Sequence, residues 1–343
     1  MFKKKVQSFF LRVWSTNSSW HLVFYPLSFL FYLLTRIRKA LLLFIQKPLA
    51  CPVVVVGNVT VGGTGKTTFV IALIRHFRSK GYHVGVVSRG YKRKYSKTTL
   101  LIDHDMGHEV MGDEARMIWL QTQTPICLSP NRHAAAVLLS EMGADLIISD
   151  DGLQNYALPR GVEICLMPDE SGFGNGLLLP LGPLRELKSR AEMSDFVIYP
   201  HQKSSLCESH TMSYEIDCFE SLDRRLQYSL DDWPHQKNIS ALCAIGNPDG
   251  FFSLLSDLGF TFDRYELHDH SVISLTDILD LPDDKPILIT EKDAVKIDFP
   301  TNRSIWVVKI KPKFNHDVCQ MVEDCLLSKH LLKLPLNHCD SQI

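Results

Sequence analysis

The apolar run Pro52-Val53-Val54-Val55-Val56 leads directly into Gly57-Asn58-Val59-Thr60-Val61-Gly62-Gly63-Thr64-Gly65-Lys66-Thr67-Thr68, and then into Phe69-Val70-Ile71-Ala72-Leu73-Ile74. A buried strand, a glycine-rich turn and a helix start in that order form a phosphate cradle. The glycines let backbone N–H groups approach an anion, and the helix N-terminus adds its positive end. On this reading Thr60, Val61, Gly62, Gly63, Thr64 and Gly65 wrap the phosphates of a nucleoside triphosphate. Lys66 reaches the same oxygens, and the Thr67 hydroxyl sits on Mg²⁺. The strict pattern G-x-x-x-x-G-K-[ST] wants glycine at position 60, where Thr60 stands. Gly57, Gly62 and Gly63 keep the loop flexible.

The rest of the chain is expected to surround this turn. At 343 residues there is room for more than one unit. His83–Ser88, Ile126–Leu128, Leu146–Ser149, Val162–Met167 and Asp195–Tyr199 read as strands, with helices between several of them. That alternation predicts an α/β fold: a P-loop NTPase-type parallel sheet with helices on both faces. After a polar stretch, a second and smaller α/β unit is expected from strands Ile239–Ala244, Pro286–Thr290 and Ile305–Ile310 with a last helix over Asp317–Leu327. The expected division is 1–48 (arm), 49–203 (P-loop unit), 204–235 (linker) and 236–343 (C-terminal unit).

Net charge is −1, but no Asp or Glu precedes Asp103, while 17 of the 37 Lys and Arg lie in that stretch. A basic first third suits an anionic partner. Nine cysteines without a C-x-x-C pair fit a reducing compartment and argue against a zinc site. The arm carries the apolar segments 22–34 and 40–45 around Arg36, Arg38 and Lys39. The first is shorter than a membrane span and holds Pro26. Aromatic residues near basic ones favour an interfacial helix or helical hairpin lying in one leaflet; docking on the protein's own core is the competing arrangement.

Asp150-Asp151 closes the strand Leu146–Ser149, where proteins with a P-loop hold a Mg²⁺-organising carboxylate. Asp113, in Gly112-Asp113-Glu114, is either the acceptor of a proton from an attacking hydroxyl or an acidic cap on the following helix. Pro180-Leu181-Gly182-Pro183-Leu184-Arg185-Glu186 is a rigid loop. Its Arg185 can brace phosphate charge and its Glu186 can reach a metal. His268-Asp269-His270 lies in a polar segment, and the charges of Thr290-Glu291-Lys292-Asp293-Ala294-Val295-Lys296 read as a solvated face.

Taken in order, the basic apolar arm, Gly-Asn-Val-Thr-Val-Gly-Gly-Thr-Gly-Lys-Thr, Ser-Arg-Gly-Tyr, Gly-Asp-Glu, Asp-Asp-Gly-Leu-Gln, Gly-Pro-Leu-Arg-Glu and Thr-Glu-Lys-Asp-Ala-Val-Lys form a specific set. The chain resembles the tetraacyldisaccharide 4′-kinases of bacterial lipid A biosynthesis from about position 10 to 327. The resemblance implies transfer of the ATP γ-phosphate to the 4′-hydroxyl of tetraacyldisaccharide 1-phosphate, giving lipid IVA. It also implies peripheral attachment, through the N-terminal arm, to the lipid surface of the cytoplasmic face of the inner membrane. Family roles on matching positions make Asp113 the base, with Asp269 and His270 its helpers. Thr67, Asp150, Asp151 and Glu186 become the metal environment, and Arg132, Gln154 and Arg185 the phosphate environment. Asn155, Ala115 and Asn131 stand where histidine, proline and aspartate are usual, and His268-Asp269-His270 where Asp-His-His is familiar.

A membrane-associated P-loop switch ATPase is the alternative. Such proteins carry a lysine before the paired glycines, a position held here by Val61. A nucleic-acid partner, suggested by Lys92-Arg93-Lys94, is not expected, because no recognition helix or base-stacking pattern accompanies the run.

Overall fold

The computed structural model describes residue 14 and residues 20–90, 93–94, 97–168, 171–200, 209–269 and 271–334. His270, Lys92 and the first 13 residues of the arm lie outside them. Among the described residues the arm holds one long helix, α1 (Trp20–Phe44). There follow β1 (Val53–Gly57), α2 (Lys66–Ser79), β2 (Val84–Ser88), β3 (Leu100–Ile102), the short α3 (His108–Met111), α4 (Asp113–Thr122), β4 (Ile126–Leu128), α5 (Arg132–Glu141) and β5 (Leu146–Ser149). Next come β6 (Val162–Leu166), α6 (Lys188–Glu192), β7 (Phe196–Pro200), the long β8 (His210–Ser221) and β9 (Gln227–Tyr228). The chain then runs through β10 (Asn238–Cys243), α7 (Pro248–Asp257), β11 (Thr261–Glu266), α8 (Leu275–Leu279), β12 (Ile287–Thr290), α9 (Glu291–Ala294), β13 (Ile305–Phe314) and α10 (Val318–Ser328).

The strands join one sheet in the order β11-β10-β12-β13-β8-β7-β6-β1-β5-β2-β4-β3, with β9 on β8. Pairing is parallel except for β3 with β4 and for β8 with β9 and β13. The valine run of β1 explains itself by position. Val54 and Val56 pack with Phe69, Leu73 and Phe77 of α2, while Val53 and Val55 pack with Ala135, Ala136 and Leu139 of α5. A parallel strand covered on both faces has no solvent side, so it reads as continuous Val rather than as an alternation. The second half repeats the logic at β12. Leu288 faces Phe251 and Leu255 of α7, and Ile287 and Ile289 face Ile278 of α8.

Two long strands stitch the halves together. β8 runs parallel to β7 and β13 parallel to β12, while β13 and β8 pair antiparallel from Trp306 opposite Ser221 to Phe314 opposite Met212. The segment expected as irregular connection therefore holds a 12-residue strand. Phe314 also meets Phe69 edge-on, with ring centroids 5.6 Å apart, which ties β13 to α2. The last helix crosses the expected division: Val318, Val322 and Leu326 of α10 are buried in the core around α2.

The charges of Thr290–Lys296 do not form a solvated face. Asp293 and Lys296 are buried and paired at 2.7 Å. Asp293 also accepts from the Thr290 hydroxyl at 2.7 Å and the Ala244 N–H at 3.1 Å. The pair thereby closes α9 onto the end of β10, satisfying polar groups that burial would otherwise orphan. Lys296→Met should strand the Asp293 carboxylate and destabilise the second half by about 3–5 kcal/mol. Chemical unfolding followed by tryptophan fluorescence checks this, since Trp233 and Trp306 pack together in that half.

Candidate functional site

The strand order places β1 between β6 and β5, so connections leaving β1 and its neighbours diverge at the C-terminal edge and open a crevice. The glycine loop leaves β1 at this edge. Gly65 caps α2 with φ 76°, a left-handed conformation that glycine takes without a Cβ clash. Gly62 and Gly63 have open space around them. Behind the loop lies 180–186: the Val61 N–H donates to the Pro183 carbonyl at 2.8 Å, and the Arg185 N–H to the Val59 carbonyl at 2.7 Å. Arg185 and Glu186 are thus carried to the loop by backbone pairing.

Asp150 and Asp151 leave β5, the strand beside β1. Lys66 Nζ lies 3.5 Å from Asp151 Oδ1 and donates to Asn58 Oδ1 at 3.2 Å. Arg185 Nη1 donates to both Asp151 carboxylate oxygens, at 3.1 and 3.0 Å. Arg132, buried at the start of α5, donates to the Asp151 carbonyl at 2.9 Å. Asp151 itself has φ 47°, a left-handed backbone on a residue with a Cβ. Burial works to raise its pKa, but Lys66 and Arg185 outweigh that and hold the carboxyl below its ordinary range. Asp150 behaves oppositely. Burial, then the charges of Glu114 and Asp151, push it up to about 7, and its Oδ2 is buried without a hydrogen-bond partner.

Gln154 donates to the Asn58 carbonyl at 2.9 Å and approaches Glu186 Oε2 at 3.4 Å. Glu186 accepts from the Tyr156 hydroxyl, which in turn receives Arg190 Nε at 3.0 Å. Asn58 is the residue that sequence reasoning passed over. It is wholly buried and bonds Lys66, Gln154 and the Thr60 hydroxyl. Its signal was a polar side chain directly after a buried strand. Tyr214 was missed as well. It reaches over from β8, so that a Cβ on Gly65 would fall 1.6 Å from its hydroxyl oxygen.

Asp113 opens α4 behind Gly112, whose torsions (φ 81°, ψ 155°) turn the chain sharply between α3 and α4. It lines a cleft of about 400 Å³ with Ser88, Gly90, Lys94, His108 and Glu114 of the first half and Val272 of the second. The segment that carries Asp269 therefore borders the Asp113 cleft through Val272; His270 lies outside the described residues. Arg93 of the basic run is turned inward and donates to the Leu128 carbonyl at 3.3 Å. Asn131, where aspartate is usual, still caps α5 by accepting the Ala134 N–H at 3.2 Å.

The sequence model of the tetraacyldisaccharide-1-P 4′-kinase family matches residues 20–327. A tetraacyldisaccharide 4′-kinase of Pasteurella multocida is 39% identical over 314 residues, covering 89% of this chain and 93% of the relative. That of Hahella chejuensis is 35% identical over 325 residues, covering 91% and 94%. Among solved structures, an "apo" form LpxK from Aquifex aeolicus in complex with ATP aligns with a TM-score of 0.74 at 25% identity. The alignment covers 89% of this chain and 99% of that one.

The tight fit at Gly65 makes a specific forecast. Gly65→Ala should weaken binding of a fluorescent adenine nucleotide by roughly 10-fold or more, since left-handed strain of about 1–3 kcal/mol falls on the loop itself. Fluorescence titration measures it, and the melting temperature should move far less than the affinity.

Proposed function

The chain belongs to the tetraacyldisaccharide 4′-kinase family, and on that premise we propose how its residues carry out the reaction. It is an ATP-dependent kinase of lipid A biosynthesis that phosphorylates the 4′-hydroxyl of tetraacyldisaccharide 1-phosphate. The observation that carries a phosphoryl-transfer site is the convergence of Lys66, Arg185 and Asp151 at the adjoining ends of β1 and β5.

ATP seats its phosphates against the N–H groups of Thr60–Thr67 at the start of α2. Lys66 then exchanges Asn58 and Asp151 for phosphate oxygens, while Asn58 and Gln154 keep the loop's shape. Arg185 on the Asp151 carboxylate and Arg132 on its carbonyl offset the charge that spreads over the transferred group. Asp113 orients the 4′-hydroxyl in line and accepts its proton as the new O–P bond forms and the bond to ADP breaks. Asp269 and His270 assist from the second half. Mg²⁺ suits the oxygens at this edge: Asp150 Oδ2 is a buried acceptor without a partner, and Thr67 adds a hydroxyl. Among the described residues no three His, Cys, Asp or Glu side chains gather as a complete metal site. That agrees with a cation held by one or two protein oxygens and by phosphate. A bound Mg²⁺ would supply positive charge against the phosphates here. Glu186, held by Tyr156 and Gln154, supports this edge from behind.

We further propose that 1–48 is an arm for one leaflet on the cytoplasmic face of the inner membrane, and that 49–203 and 236–343 act as two α/β units joined through β8 and β13. Among the described residues no helix is long and apolar enough to cross a membrane. The seam of α1 that touches the protein is narrow: the Ser28 hydroxyl donates to the Leu178 carbonyl at 3.0 Å, and Lys39 lies 4.5 Å from the Tyr156 ring centre. Away from it, Phe29, Leu33, Leu34 and Leu41 are exposed beside Arg36 and Arg38. That surface would bury itself at a lipid boundary while the cations meet anionic headgroups.

In mixed micelles, Lys66→Ala and Asp113→Asn should each lower phosphate transfer from labelled ATP by about 10²-fold or more, the loss of one charge-stabilising or proton-accepting group. Asp113→Asn should bind ATP normally and Lys66→Ala should not. Transfer at the wild-type rate by Asp113→Asn would return that residue to a capping role. Separately, Phe29→Glu with Leu33→Glu should abolish sedimentation with anionic vesicles and raise the lipid KM, leaving ATP affinity unchanged; undiminished co-sedimentation would remove the arm from membrane binding.

A further inference from the structure

The second half grips the Asp113 helix through contacts that the transfer chemistry does not use. Arg116 lies one turn beyond Asp113 on α4. Its Nε and Nη2 donate to the two oxygens of Asp105 at 3.0 and 2.9 Å. Its Nη1 reaches across to the second half, donating to the Val295 carbonyl at 2.6 Å and to Asp298 Oδ1 at 2.7 Å. The other oxygen of the same carboxylate, Asp298 Oδ2, lies 2.8 Å from His108 Nδ1. One carboxylate of the second half therefore bridges two residues that bracket Gly112-Asp113, one on α3 and one on α4.

The local backbone makes this bridge consequential. The Gly112 turn has no side-chain cap, and glycine imposes the weakest torsional preference of any residue. What holds α3 and α4 from outside therefore helps to set the direction in which Asp113 points. Arg116 and His108 are largely buried, with side chains 12% and 16% exposed, while Asp298 is 47% exposed, so the clasp is anchored in the protein on the side of α3 and α4 and open to water on the side of Asp298. Burial raises the Asp298 carboxyl, yet the hydrogen bonds from Arg116 and His108 outweigh it and keep its pKa below the ordinary value. The contact continues along α4 on both sides of Arg116, with Gln121 donating to Glu291 at 2.6 Å and Lys292 lying 3.9 Å from Glu114.

We propose that Asp298 is a positioning residue for phosphoryl transfer, clasping Arg116 and His108 so that the Asp113 carboxylate faces the acceptor hydroxyl only when the second half is seated on α4. This rests on Asp113 being the proton acceptor. A base displaced by about 1 Å loses on the order of 10²-fold in rate while substrate binding is little affected. Asp298 is therefore expected to act on kcat and not on KM.

The test compares Asp298→Ala, Asp298→Asn and Asp298→Glu with Asp113→Asn and Arg116→Ala in the full-length enzyme, in mixed micelles with saturating ATP. Asp298→Ala should lose roughly 10- to 100-fold in kcat, with KM for ATP within about 2-fold and a melting temperature near wild type. Asp298→Asn, which keeps the shape and part of the bonding, should fall between Ala and wild type, and it serves where the alanine variant folds poorly. Asp298→Glu should recover part of the loss. The double variant Arg116→Ala with Asp298→Ala should be no slower than Arg116→Ala alone, because both act through one contact. Full kcat in Asp298→Ala while Asp113→Asn is inactive overturns the clasp and leaves the base in place. Undiminished transfer by Asp113→Asn overturns the base assignment itself, whatever Asp298 does. Multiplying losses in the double variant also overturn the clasp.

Discussion

Asp151 is the residue on which the phosphate edge depends. Three cations meet it, with Lys66 and Arg185 on its carboxylate and Arg132 on its carbonyl. It meets them from a left-handed backbone that costs a residue with a Cβ about 1 kcal/mol or more. Such a conformation persists only where its surroundings over-determine it. Here they do: Gly152 donates to the Val56 carbonyl at 2.9 Å, and Leu153 packs so closely on Gly57 that a Cβ there would lie 2.5 Å from it. The strain turns Asp151 toward Lys66 while its neighbour Asp150 goes inward. Two adjacent carboxyls on one turn are thus driven in opposite electrostatic directions. One is kept ionised by cations; the other is lifted by burial and by neighbouring negative charge.

On the proposed assignment, the same balance would leave Lys66 available to a polyanion. Its partners without nucleotide are a neutral amide and a carboxylate already shared with Arg185. A phosphate oxygen replaces a divided interaction by an undivided one. Arg185 remains on Asp151, so the carboxylate is not left uncompensated when the ammonium departs. Asn58 and Gln154 hold the loop between these states through a backbone carbonyl that is indifferent to the charge of the ligand.

Much of this was legible in the chain. The Val53–Val56 run, Gly65-Lys66 and Asp150-Asp151 announce themselves because two-sided burial and phosphate cradling impose local patterns. The α/β character of the later part of the chain was legible in strands such as Ile287–Thr290 that are apolar throughout. What failed to show was whatever depends on partners far along the chain. β8 carries His, Ser, Glu and Asp among its apolar residues and changes register with β13 at a bulge, so it has no clean period. Lys296 and Asp293 are three apart and suit each other, but nothing local reveals that both are buried. Arg116 and Asp298 are 182 positions apart, and no spacing rule joins them. The position of α10 was misjudged for a related reason: an amphipathic helix shows which face is apolar, not which core receives it.

These long-range contacts share a direction. β13 leaves the second half and packs Phe314 on Phe69 of the phosphate-loop helix. Tyr214, on the antiparallel partner of β13, sets its hydroxyl against Gly65. A neutral hydroxyl beside the loop adds no charge to compete with phosphate. α10 then returns to the first half, where Glu323 meets His76 of α2 at 2.8 Å. The second half therefore touches both the helix that would receive ATP and the helix that would accept the sugar's proton. Those two helices pack against each other through Phe69, Leu73, Ala115 and Ile118 in a common core. Close-packed interiors transmit displacements because they have no slack to absorb them. On the proposed site assignment, seating the second half would therefore be coupled to both substrates at once, the arrangement a kinase needs if water is not to take the place of its acceptor.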